Sequence, residues 1–132
     1  MTTFTFERLH NYTNNGQDIE QSIRLALTGK VERADNIAHN RGTDCGIYQI
    51  KSARATICKG TDLRAYLEDD CATEFIYGTQ SGIAYVMTKA EYITFALMFA
   101  TITRESAHNG GAVKMRLKSE SKALLEYLAS AV

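Results

Sequence analysis

Apolar and polar positions along the chain change period several times, and each change marks the edge of an element. Phe4 and Phe6 alternate with threonines, the period-two pattern of a short strand or extended arm. Asn14-Asn15-Gly16 interrupts it. From Asp18 to Thr28 the residues Ile19, Ile23, Ala26 and Leu27 fall at helical spacing, and Gly29 supplies a stop, which predicts a first helix. Lys30 to Arg41 is polar and without clear period. Arg41-Gly42-Thr43-Asp44-Cys45-Gly46 is turn-rich, and Ile47 to Cys58 reads as a long strand or a bent hairpin arm. Asp62 to Glu68 reads as a short helix capped by Thr61 or Asp62. Thr73 to Tyr77 and Ile83 to Met87 read as two strands, joined through the hairpin chemistry of Gly78-Thr79-Gln80-Ser81-Gly82.

Thr88-Lys89-Ala90-Glu91 has capping-box spacing and opens a helix expected to run to about Thr103. Tyr92, Phe95, Ala96 and Phe99 line one side of it, and Leu97 and Met98 widen the apolar face, so burial over much of its circumference is expected. Asn109-Gly110-Gly111 is a turn, and the Arg104 to Gly111 loop is polar and Gly-rich. Val113 to Leu117 alternates as a strand, with Lys114, Arg116 and Lys118 on one side. Ser119 to about Ser130 forms a last amphipathic helix through Leu124, Leu125 and Leu128. This order of helix, strands, helix, strand and helix predicts an α/β (α+β) fold, a central mixed sheet flanked by helices.

The length of 132 residues suits one domain, spanning 1–132, and 45% apolar with 23% charged residues is a globular balance. Fifteen basic residues match fifteen acidic ones, which argues against a general basic surface and leaves room for a local basic groove. The most apolar run, Tyr92 to Ile102, is about half the length of a membrane-spanning helix. The first residues lack the pattern of a secretory signal. The three cysteines, Cys45, Cys58 and Cys71, form no C-x-x-C pair, so reduced thiols and a cytoplasmic setting are expected. Even with His39 their spacing lacks the close pairs of a structural zinc module.

The chemically informative segment is Asp44-Cys45-Gly46-Ile47-Tyr48-Gln49-Ile50-Lys51. Strand alternation puts Gln49 and Lys51 on one face and Tyr48 and Ile50 on the other, where a core can take them. A carboxylate and a side-chain carbonyl are hard oxygen donors suited to Mg²⁺, and a neighbouring lysine can orient an attacking water and offset developing negative charge. The plainer alternatives are an edge strand guarded by lysine, a turn aspartate bonded to its own backbone, and an exposed glutamate Glu20 that favours the amino end of its helix.

These residues resemble the PD-(D/E)XK nuclease superfamily, which includes type II restriction enzymes, Holliday-junction resolvases and Mrr-like enzymes. Asp44 matches the acid of its motif, Gln49 the second ligand in a Q-x-K variant, Lys51 the lysine, and Glu20 the glutamate many members carry on the helix before the core strands. The family core of helix, three strands, helix and strand matches the element order over residues 18–117. The resemblance implies a restriction endonuclease-like core and a small DNA endonuclease. It implies Mg²⁺ or Mn²⁺ held by Asp44, Gln49 and Glu20, with Lys51 assisting the attacking water. Asp44 and Gln49 converge only if the chain bends at Cys45-Gly46, and Asp35 is the acid otherwise. Arg54, Lys59, Lys114 and Arg116, with Arg64 and Lys118, are the expected phosphate contacts. A homodimer is expected, because one active site cuts one strand. The alternative is a non-catalytic accessory protein of phage or mobile-element origin that binds nucleic acid or inhibits another protein.

Overall fold

The structure is a computed structural model that describes residues 1–30, 45–59, 64–65, 72–104 and 113–132. Its elements are β1 (Thr2–Thr5), α1 (Asn15–Thr28), β2 (Tyr48–Lys51), β3 (Thr56–Lys59), β4 (Glu74–Gly78), β5 (Ile83–Thr88), α2 (Lys89–Phe99), β6 (Ala100–Arg104), β7 (Val113–Leu117) and α3 (Lys122–Ala131). They form a four-stranded sheet in the order β1-β5-β4-β2 and a three-stranded sheet in the order β3-β7-β6. β2 runs parallel to β4 while β1, β4 and β5 pair antiparallel, so the first sheet is mixed, as expected. The second sheet is antiparallel throughout.

Local signals explain most boundaries. The Asn14 side chain accepts the Gln17 amide and starts α1 three residues before Asp18, while Gly29 stops it in a left-handed conformation, its N–H donating to Leu25 O. The capping box of Thr88 and Glu91 is formed at the start of α2. Of the short helix expected at 62–68, Arg64 and Ala65 are helical and the rest lies outside the described residues.

Two expectations are corrected. The helix expected to reach Thr103 ends at Phe99, and Ala100–Arg104 is the strand β6. Thr101, Ile102 and Thr103 are β-branched in succession, which disfavours a helix, and β7 offers all five residues a pairing partner. The segment from Ile47 to Cys58 is two strands that belong to different sheets, with Ser52 to Ala55 turning between them.

The first sheet is covered on both faces. On one, Phe75, Tyr77, Tyr85 and Met87 join α2, the inner side of the second sheet and α3 in a large apolar core. Phe75 and Tyr92 stack there with ring centroids 4.3 Å apart. On the other face, Ile19 and Ile23 of α1 lie on Ile50, Ile76 and Ala84. Gly78 permits this approach: a Cβ there would overlap Ile19 and come within 2.7 Å of Ile23 Cδ1. The same placement puts the amino end of α1 beside the end of β2.

Candidate functional site

Where the chain leaves the first sheet for the second, Ser52-Ala53-Arg54-Ala55 closes a turn, the Ala55 amide donating to Ser52 O at 3.2 Å. Arg54 sits at φ 64°, the left-handed region, at a cost of about 1–3 kcal/mol. Tertiary contacts hold it there. The Leu117 amide donates to Ala55 O at 2.9 Å, tying the turn to the end of β7, and Arg54 Nε donates to Ser119 Oγ at 3.0 Å.

This junction borders a cavity of about 830 Å³. Its wall includes Glu20, Lys51, Arg54, Arg116 and Glu120, with Asn14 to Gly16 at the amino end of α1. Gly16 brings that end against the turn, since a Cβ there would lie 3.3 Å from Ser52 Oγ. Four of the residues singled out in the sequence therefore share one cavity, although they come from α1, β2, a turn and β7. The strand alternation is also as expected. Ile50 and Tyr48 pack under α1, while Gln49 and Lys51 fall in register with Phe75 and Tyr77 on the opposite face.

The remaining site residues are placed differently. Gln49 is half-buried on the Lys51 face and is not part of the described cavity wall. Asp44 and its substitute Asp35 lie outside the described residues, as does the Lys59 side chain. The bend required at Gly46 exists: Gly46 has φ 59°, and Cys45 and Tyr48 exchange backbone hydrogen bonds of 3.1 and 2.9 Å across it. Lys114 is two residues from Arg116 on β7, on the outer side of the second sheet.

Charges in the cavity are engaged by the protein. Glu20 Oε1 lies 3.2 Å from Arg24 NH2, one turn along α1 and buried. Lys51 Nζ donates to Thr56 O at 3.1 Å, so its ammonium is held at the mouth of the turn. Glu120 Oε2 accepts the Gln80 amide at 2.9 Å. Burial, and secondarily the Glu120 carboxylate, pushes the Tyr77 phenol well up, so it stays protonated. Three cations and the positive end of α1 thus face a wall whose two carboxylates have internal partners, which suits an anion.

Glu120 carried no signal in the sequence, where it is one polar residue before a helix. The Arg8 clamp was equally hidden. Arg8 Nε donates to the fully buried Asp18 at 2.6 Å, and its other nitrogens reach Gln80 O at 3.2 Å and Asn15 Oδ1 at 3.3 Å, both on the cavity wall. Arg8 lies in an irregular segment, so no periodicity pointed to it.

Among the described residues, no group of three or more His, Cys, Asp or Glu side chains gathers to hold a metal ion. No described helix is long and apolar enough to cross a membrane. No family model, curated protein or solved structure matches the chain.

Proposed function

We propose that the chain binds the phosphodiester backbone of DNA in the junction cavity and hydrolyses it, as a small metal-dependent endonuclease of the PD-(D/E)XK type with a Q-x-K motif. The supporting observation is the meeting of Glu20, Lys51, Arg54 and Arg116 around one cavity. Arg54 and Arg116 suit a phosphate on each side of the scissile bond, because a guanidinium presents paired donors to phosphate oxygens. Lys51, fixed by Thr56 O, offsets the charge that develops as the bond breaks. Mg²⁺ or Mn²⁺ would be held by Glu20, Gln49 and Asp44, or Asp35 in place of Asp44, and would polarise the phosphoryl oxygen and acidify a bound water. In this proposal the protein works in the cytoplasm as a homodimer, each copy cutting one strand.

A second reading is non-catalytic DNA binding by an accessory protein of phage or mobile-element origin. Two features favour it: Gln49 is neutral where a carboxylate would bind metal more strongly, and Glu20 is already paired with Arg24.

Plasmid and branched-DNA cleavage with Mg²⁺ or Mn²⁺ separates the two. Cleavage by the wild type that is lost in Lys51→Ala, Glu20→Gln and Asp44→Asn supports hydrolysis at this site. Cleavage equal in all four proteins contradicts it. DNA binding in chelator without cleavage in either metal supports the accessory reading, and no binding at all contradicts both.

A further inference from the structure

Arg116 belongs to the cavity and also to a second surface. On β7, Met115 and Leu117 are buried in the core, so Lys114 and Arg116 point to the outer side of the second sheet. The register places Thr56 and Thr101 beside Arg116, and Thr103 beside Lys114. Thr101, Thr103 and Arg116 are exposed and Lys114 is half-buried. Among the described side chains of this outer face there is no carboxylate, no aromatic ring, no Asn and no Gln. Its described side chains are two cations and three threonine hydroxyls, on a chain of zero net charge, and they are continuous with the cavity through Arg116.

Resting on the DNA-binding reading of the cavity, we infer that the outer face of the second sheet carries the backbone of double-stranded DNA away from the cavity, across Arg116, Lys114, Thr101 and Thr103, without reading its sequence. Charge complementarity selects a polyanion. The two cations are one strand repeat apart, about 6.8 Å, a spacing comparable to that of successive phosphates. The Thr101 and Thr103 hydroxyls donate to the carbonyls of Arg116 and Lys114 at 3.4 Å, long bonds that a phosphate oxygen can replace. Side chains of this kind fix position on a backbone and carry no base information. Single strands are bound mainly by stacking on aromatic side chains, and the described side chains of this face include none, so the duplex is the form they fit.

The test compares a long duplex, a single strand of the same length, and the dinucleotide pTpT, which spans the cavity alone. Fluorescence polarisation at several salt concentrations reads the long probes, and NMR titration reads pTpT. Lys114→Ala should weaken duplex binding about 3- to 10-fold and reduce the salt slope by about 0.9. Thr101→Asp/Thr103→Asp, which places carboxylates in the path, should weaken it more. Neither variant should change pTpT binding. Lys30→Glu, just past the carboxyl end of α1, is the charge control and should leave duplex binding as in the wild type. Thermal melting checks that each variant is folded. Normal duplex affinity and slope in both outer-face variants, with duplex and pTpT still bound, overturns the track while leaving the cavity reading intact. Single strand bound as tightly as duplex, and weakened equally by the variants, overturns the duplex assignment. A wild type that binds no probe overturns the track and the cavity reading together.

Discussion

On one face of the first sheet, aromatic rings from β4, β5 and α2 pack with the second sheet and α3 into a single apolar core. On the other face, a smaller apolar set under α1 is bordered by Asp18, Gln21, Ser22 and Arg24, all of them buried. The two faces cover the same strands and do different work. The dry face makes few demands on geometry beyond filling space, and it supplies most of the stabilisation. The polar face contributes less apolar burial, yet its hydrogen bonds fix the direction and height of α1. Through Asn15, Gly16 and Glu20, that helix forms one wall of the cavity. The α1 wall of the cavity thus sits where packing is directional, while most of the apolar burial lies on the other face of the sheet.

Substitutions can break this division of labour. The largest effect is expected on the dry face. Phe95 is fully buried against Tyr77, Tyr92 and Phe99, and Phe95→Ala should cost about 3–5 kcal/mol in chemical denaturation. DNA affinity of the folded protein should be unchanged; an affinity loss as large as the stability loss would mean that the faces are not separable. On the polar face, Asp18→Ala should cost about 2–3 kcal/mol, because Arg8 and the Asn11 amide lose their buried acceptor. Here DNA affinity should fall as well, since Arg8 also ties Asn15 and Gln80 into the cavity wall.

Gly78→Ala should cost about 1–3 kcal/mol by pushing Ile19 and Ile23 outward. Because α1 moves with them, DNA affinity should drop although Gly78 is not itself on the cavity wall; unchanged affinity would show that the position of α1 is irrelevant to binding. Arg54→Gly sharpens the comparison further, because its two effects should have opposite signs. Relief of the left-handed strain should raise stability by up to about 1 kcal/mol, while DNA affinity and the salt slope decline. Loss of both would mean that the Ser119 contact outweighs the strain.

The smallest effect concerns pH and lies at the start of α2. The Glu91 carboxyl is held below its ordinary 4.5 first by the Met1 amino group at 2.8 Å, then by the Thr88 amide of the capping box. A depressed folded-state pKa means stability that is present above the unfolded value and is lost as pH falls through the folded one. Glu91→Gln should therefore lower the melting temperature slightly at pH 7 and make no difference in strong acid. An equal deficit at both pH values would contradict the ion-pair origin.

Much of the fold was legible where local chemistry decides it. The Thr88–Glu91 capping box, the Gly29 stop and the Gly46 bend are cases in which one or two residues impose the backbone. Alternation in β2 correctly divided Ile50 from Lys51 because one side of that strand is apolar and buried. The end of α2 was illegible because Leu97, Met98 and Ala100 suit a helix as well as a strand, and pairing with the distant β7 decides the outcome at Ala100. The switch between sheets was hidden for a similar reason. Ser52 to Ala55 contains no Gly, Pro, Asn or Asp, and Arg54 adopts a glycine-like conformation that Ser119 and Leu117 impose from far along the chain. For the site, the residue types of Glu20, Lys51, Arg54 and Arg116 were apparent, whereas Glu120 and Arg8 depend on tertiary placement alone.

The account turns on Lys51, Arg54 and Arg116 acting together on one phosphodiester backbone. Its most direct test is the salt dependence of duplex affinity for the wild type and for Lys51→Ala/Arg54→Ala/Arg116→Ala. Three phosphate contacts removed together should lower the slope of log affinity against log salt by about 2.7, with the variant still folded by thermal melting. A slope equal to that of the wild type would contradict the claim that these residues meet DNA in the cavity.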